Sequence, residues 1–405
     1  MANLWLPLIV CIISLWIVPI AQATESLYLS VFLEFEQEYN DNVYYTAFDQ
    51  VRDLISHLGA RTKGELKTEK SHIELDYRAR RVIYYDYEGD DGIDTTEMNY
   101  TDHNLSLDAF TILTDRLKVG ITEKYLRSRR VSEYYYLTNR ISLAEYWDNR
   151  ISPYLEYQLG ERLKLCLKYQ YDFLDYVESY TLYDQDSSEH RGYLTLEYAL
   201  NPRSSVDLDY QYWVRDYETF TPYKAHQVTI GYKREFTEVF SGEIRCGYQT
   251  VDYKEEVESI VEDWQGFVYN ISTTARTEKS DAHLSFEQTQ ANLADYGGGY
   301  YKVRMFSSDI GHTFLGKISA RLKVSYQQCR YSEWKVMTEP GALEERSDDT
   351  WSVCTKIEYP IHRRLSLSLE LRHAERDSNS IGIFGDYVGN QILFTIKPRY
   401  ERRRP

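Results

Sequence analysis

Residues 162–173, RLKLCLKYQYDF, carry the pattern that most constrains this chain. Leu163, Leu165, Leu167, Tyr169 and Tyr171 take every second place, and Lys164, Cys166, Lys168, Gln170 and Asp172 fill the places between. Side chains alternate faces along a β-strand, so this pattern predicts a strand with one greasy and one ionic side. It recurs along the chain. Leu29, Val31, Leu33, Phe35 and Tyr39 oppose Ser30, Glu34, Glu36 and Glu38. Val206, Leu208, Tyr210, Tyr212 and Val214 oppose Asp207, Asp209, Gln211 and Arg215. Leu365, Leu367, Leu369 and Leu371 oppose Ser366, Ser368, Glu370 and Arg372.

Two kinds of connection separate these stretches. Short polar turns fall at residues 68–71, 114–116, 160–162, 201–205, 237–242, 277–281, 315–317 and 361–364. Longer acidic and aromatic segments lie between them, at 87–99, 127–148, 177–190, 332–349 and 374–386. Alternating short and long connections are the layout of a transmembrane antiparallel up-and-down β-barrel, with tight periplasmic turns and longer outer loops. Eight inner turns with both termini on the inner side predict 18 strands, with 16 as the alternative. Alternation is weakest at residues 53–66 and 282–308. In lipid every backbone polar group must be paired within the protein, which closes the sheet into a ring.

Composition sharpens this expectation. Mean hydropathy is −0.56, yet 39 residues are tyrosine, a side chain suited to strands and to membrane interfaces. The net charge of −16 argues against a nucleic-acid partner, which needs a basic face. Residues 4–20 are apolar and followed by Ala21-Gln22-Ala23, which reads as an export signal cleaved after Ala23; an uncleaved anchor helix is the alternative. The barrel is then expected over residues 24–405, in the outer membrane of a Gram-negative bacterium.

The lysine and aspartate positions at the outset must face a watery lumen, because a cation at mid-depth on the lipid face costs roughly 2–4 kcal/mol. The expected lumen-lining set is Glu34, Glu36, Glu38, Lys164, Lys168, Asp172, Asp207, Asp209, Arg215, Arg321, Lys323, Lys356, Glu358, Glu370 and Arg372. Such ladders either present a charged pore to a solute or pair with one another and keep the lumen wet. Tyr157, Tyr169, Tyr171, Tyr210, Tyr212, Tyr326 and Tyr359 are expected in an aromatic girdle. Cys329 and Cys354 flank the 332–349 segment with lumen parity, as a cross-strand disulfide or as two free thiols, while Cys246 shares the lipid face with Ile244 and Tyr248. No hydrolase, zinc or phosphate-cradling motif is present in the sequence, and no enzyme, cofactor or metal is expected. A TonB-dependent receptor is disfavoured because no plug domain precedes the first strand.

The mature N-terminus, LSVFLEFEQEYNDNVYYT, resembles the start of the putative beta-barrel porin-2 family, with Tyr39 to Tyr44 matching its Y-D-N-V/I-aromatic segment. The hairpins DRLKVGITEKY, ERLKLCLKYQY and RRLSLSLELRH and the ending YVGNQILFTIKPRY resemble the rest of that family. The stretch YVGNQILF also resembles the C-terminal signal read by the outer-membrane assembly machinery, although a basic tail, Arg402 to Arg404, follows it and is expected in the periplasm. Members of the family are often associated with exopolysaccharide export. The resemblance therefore implies an exit conduit for polysaccharide working with periplasmic export proteins. A general diffusion porin for small polar solutes, or an adhesive surface barrel with a plugged lumen, is the alternative.

Overall fold

Each period-two stretch folds into a strand, and the strands close on themselves. The computed structural model describes residues 26–43, 45, 50–85, 95–129, 145–177, 186–218, 221–254, 263–292, 300–339, 342–380 and 386–404. The expected leader, residues 1–23, lies outside them, as do parts of most long connections. In chain order the strands are β1 Ser26–Asn40, β2 Asp53–Lys67, β3 Ser71–Tyr84, β4 Tyr100–Thr114, β5 Leu117–Ser128 and β6 Tyr146–Gln158. Then come β7 Leu163–Tyr176, β8 Ser187–Asn201, β9 Ser204–Tyr217, β10 Tyr223–Glu235, β11 Phe240–Tyr253 and β12 Trp264–Arg276. The last are β13 Ser280–Asn292, β14 Tyr300–Phe314, β15 Ile318–Glu339, β16 Ala342–His362, β17 Leu365–Ser378 and β18 Tyr387–Arg404.

All 18 strands form one antiparallel sheet in which each pairs with its neighbours in sequence, and β1 also pairs with β18. The closing seam runs from Leu27↔Arg404 to Asn40↔Gln391. The expected strand number therefore stands, and 16 is excluded. All of the expected short turns connect successive strands. Two expectations fail. Arg402 to Arg404 are not a free tail, because their backbone completes the seam against Leu27 to Leu29. Most of residues 332–349 is not loop: β15 and β16 continue upward as a long hairpin, with register shifts between Arg330 and Lys335 and between Met337 and Glu339.

Three of the turns repeat one device. Thr68, Thr237 and Thr277 each accept, at Oγ1, the backbone N–H three residues on, at 2.9, 3.0 and 3.0 Å. A threonine hydroxyl bonded forward in this way fixes a tight reversal locally. The β14–β15 turn works differently. Leu315 and Gly316 have φ of 51° and 67°, and Lys317 N–H donates to Phe314 O at 3.0 Å. Positive φ at both central positions is the geometry that matches strand twist in a two-residue hairpin.

The two faces of the ring differ as the pattern demands. Exposed side chains of the outward set include Leu33, Leu167, Leu208, Ile230, Phe267, Ile357 and Leu369. This is an apolar exterior, reversed from a soluble protein, in which such residues would be inside. Polar groups on that face bond one another. Ser56 Oγ donates to Gln37 Oε1 at 2.7 Å, which explains the poor alternation of β2. Tyr77, Tyr169 and Tyr210 hydroxyls bond Nδ1 of His103, His190 and His226 at 2.9, 2.6 and 2.8 Å.

Candidate functional site: the inner wall of the barrel

The inner wall is assembled by parity and register. In every strand the residues opposite to the apolar exterior face inward, and register brings those of adjacent strands into rows. Each member of the expected set takes inward parity, and all but a few have a partner of opposite charge.

Glu34 lies 3.8 Å from Lys397. Glu36 is 3.4 Å from Arg80, which also holds Asp102 at 2.8 Å. Glu38 Oε2 sits 2.9 Å from His57 Nε2. Lys164 pairs with Glu197 at 2.7 Å, and Asp172 with Arg150 at 2.9 Å. Arg215 lies 3.7 Å from Glu189. Lys323 reaches Asp309 at 4.0 Å. Glu370 lies between Lys356 at 3.2 Å and Arg372 at 2.5 Å. Asp209 instead accepts from Thr195 Oγ1 at 2.6 Å and Gln211 at 2.7 Å. Lys168 stands over the Tyr193 ring at 4.5 Å. Glu358, across from Ser319 and Ser368, has no ion pair among the described residues.

Two pairs span three strands with a glycine between them. Asp207 on β9 and Arg245 on β11 meet at 2.7 Å over Gly231, which is register partner to both. Arg321 on β15 meets Asp281 on β13 at 2.9 Å over Gly311, and binds Asp309 at 2.7 Å. A Cβ at Gly231 would stand 2.4 Å from Asp207 Oδ2, and one at Gly311 would stand 2.5 Å from Asp281 Oδ1. Glycine is thus what lets the two flanking charges meet.

Depth divides the wall in two. Near the short turns several charges are wet, the side chains of Lys323, Arg321 and Lys164 being 55%, 41% and 39% exposed, although Asp207 and Glu370 are buried in their ion pairs. Toward the long connections the inner face is buried, with Arg346 at 0% and Tyr301 and Tyr331 at 1%. Three apolar clusters occupy this end. One joins Val43, Ile55, Val82, Tyr84, Met98 and Tyr100. A second joins Trp213, Tyr223, Ala225, Val251, Tyr253 and Trp264. The third contains Tyr301, Val303, Cys329 and Tyr331. Beside it, Arg346 grips Asp348 through Nε at 3.1 Å and Nη2 at 2.6 Å and lies over the Tyr331 ring at 4.7 Å. Tyr331 OH donates to the same carboxylate at 3.1 Å. A buried guanidinium is tolerated because it is paired and hydrogen-bonded. Sequence reasoning missed these clusters. Their parity was legible, but parity does not say whether an inward ring meets water or protein.

Cys329 and Cys354 are free thiols and are not bridged. Register gives the reason: Cys329 stands across from Asp348, and Lys323 across from Cys354. Their offset of six positions is roughly 20 Å along the strand, far beyond the ~7 Å Cα limit for a disulfide. Cys246 is register partner to Ile230 and Tyr269 on the outer face.

Glu36, Glu38 and His57 bring ligand-type atoms within 4.8 Å of one another. Arg80 beside Glu36 already supplies a cation there, and the Glu38–His57 contact is a direct hydrogen bond. Among the described residues no helix is long and apolar enough to cross a membrane.

With this geometry in view, the likeness to solved structures concerns the fold. Acinetobacter baumannii OccAB3 aligns over 93% of this chain and 99% of its own, at 10% identity and a TM-score of 0.50. Pseudomonas aeruginosa OpdO aligns over 94% and 99%, at 13% identity and a TM-score of 0.49. No curated protein matches the chain. A closed ring with an apolar exterior and an ionic interior is a porin-like transmembrane barrel, and its place is the outer membrane of a Gram-negative bacterium. The family resemblance read from the sequence has its counterpart in a direct match: the model described as "Putative beta-barrel porin 2" covers residues 223–400, from the first residue of β10 to within four residues of the end of β18.

Proposed function

We propose that the protein is a passive diffusion channel for small polar solutes, in which the inner-wall charges line the aqueous path and do no catalysis. The observation that carries this reading is the division of the inner wall. Exposed, mutually paired charges hold water in the periplasmic half, and inward aromatic clusters restrict the extracellular half. A barrel of this strand number is wide enough for a hydrated lumen. Paired charges let a polar solute pass without a deep binding well. Polysaccharide export draws no support from this arrangement, since a sugar polymer needs a continuous wide path and the extracellular half is lined by buried rings. Planar-bilayer recording tests the reading. Small steady currents, with vesicle permeability falling as solute size rises, are expected. A barrel that inserts but stays electrically silent overturns it.

A further inference from the structure

The exterior is mostly greasy, and three cations gather near its upper edge. Lys302 and Arg304 on β14 and Arg330 on β15 all have outward parity, alternating with the inward Tyr301, Val303 and Cys329. Arg304 lies ten residues above Phe314 at the periplasmic turn. At ~3.4 Å per residue and a tilt near 40°, that is about 26 Å, the top of an apolar band roughly 25 Å tall. The three cations therefore sit where the exterior leaves hydrocarbon for headgroups.

Their pairing is unusual. Lys302 is the direct register partner of Arg330, and like charges placed opposite one another in a sheet repel. Arg304 bonds only neutral amides, Gln288 Oε1 at 2.9 Å and Gln328 Oε1 at 3.5 Å. Arg330 has Asp349 at 3.3 Å, with Glu345 and Asp377 farther along the same outer face, whereas neither Lys302 nor Arg304 has an ion pair among the described residues. Elsewhere on the rim Lys224 is balanced by Asp252 at 3.9 Å and Lys254 by Asp216 at 3.8 Å, while Arg81 bonds only the Thr101 hydroxyl, at 3.4 Å. Two cations without a carboxylate partner among the described residues, pointing at lipid on a chain of charge −16, call for an anion from outside the protein.

We propose that Lys302, Arg304 and Arg330 bind the phosphates of the outer-leaflet glycolipid. A phosphate seated between Lys302 and Arg330 turns their repulsion into two charge-assisted contacts, and Arg304, already oriented by its two amide partners, presents its remaining N–H groups. The neighbouring apolar exterior, Phe286, Phe306 and Ile310, then receives the acyl chains. The site lies outside the lumen and does not depend on conduction.

The test uses the full barrel purified in mild detergent, with lipid retention read by native mass spectrometry. Bis-phosphorylated lipid A is the probe, and phosphate-free lipid A and phosphatidylglycerol are the comparison arms. The expected result is selective retention of the phosphorylated glycolipid, falling by tenfold or more in Lys302→Gln/Arg304→Gln/Arg330→Gln and kept in Lys302→Arg. Control Lys224→Gln should retain it fully. Unchanged bilayer currents and heat-modifiable migration establish that the triple variant is folded; if it is not, Lys302→Gln alone is measured, with a smaller loss expected. Equal retention of phosphate-free lipid A, equal retention of phosphatidylglycerol, or no loss in the folded variant overturns the proposal.

Discussion

At the level of single residues the inner wall depends on glycine as much as on charge. Gly231 and Gly311 are the gaps through which Asp207 reaches Arg245 and Asp281 reaches Arg321. Replacing Gly231 with valine forces Asp207 out of its contact and overpacks the row. The expected loss is about 1–3 kcal/mol, read as a shift in urea unfolding from vesicles. The same valine in an Asp207→Ala background should cost clearly less, because the obstructed oxygen is gone. Equal losses in both backgrounds would mean that the glycine matters only for backbone freedom. These pairs were not legible in the sequence, although Asp207 and Arg321 were named for their parity. Parity assigns a face, whereas partnership between β9 and β11 depends on register across an intervening strand, which no local pattern encodes. Parity likewise left open whether Cys329 and Cys354 bridge, and register places them too far apart.

Single strands and turns were the most legible level, because period two and turn chemistry are local. The repeated threonine-capped turns and the alternating leucines need no tertiary information. Residues 332–349 were misread because charge and a Pro-Gly pair suggest loop, while the structure carries both sides upward as strands. Two measurements address this level. Leu315 is 92% exposed and holds a positive φ that a non-glycine residue adopts only at a cost. Leu315→Asn should stabilise the barrel by about 1 kcal/mol in the same urea assay, since asparagine tolerates this backbone region better. Val228 lies near the middle of β10 and is 46% exposed on the outer face. Val228→Arg should destabilise by roughly 2–4 kcal/mol if that face meets lipid, and by little if it meets water.

For the molecule as a whole, conduction depends on how the two halves of the lumen are joined. Water-exposed charges near the turns give way to three buried clusters at the other end. On the proposed reading, the large rings of these clusters restrict the extracellular half of the path. The cluster holding Trp213, Tyr223, Tyr253 and Trp264 offers a direct test, since its large rings all carry inward parity. Tyr223 and Tyr253 have centroids 5.7 Å apart, and Arg191 lies 4.2 Å above Trp213. Truncating both indoles, Trp213→Ala with Trp264→Ala, removes bulk from the inward face without touching a backbone ladder bond. Single-channel current should rise, and the size cut-off for vesicle permeation should rise with it. Truncating Lys323 and Lys164 in the wet half should alter ion preference and leave the cut-off unchanged. If the tryptophan variant folds and conducts as the parent does, the restriction lies outside this cluster and the division of the lumen has been drawn at the wrong residues.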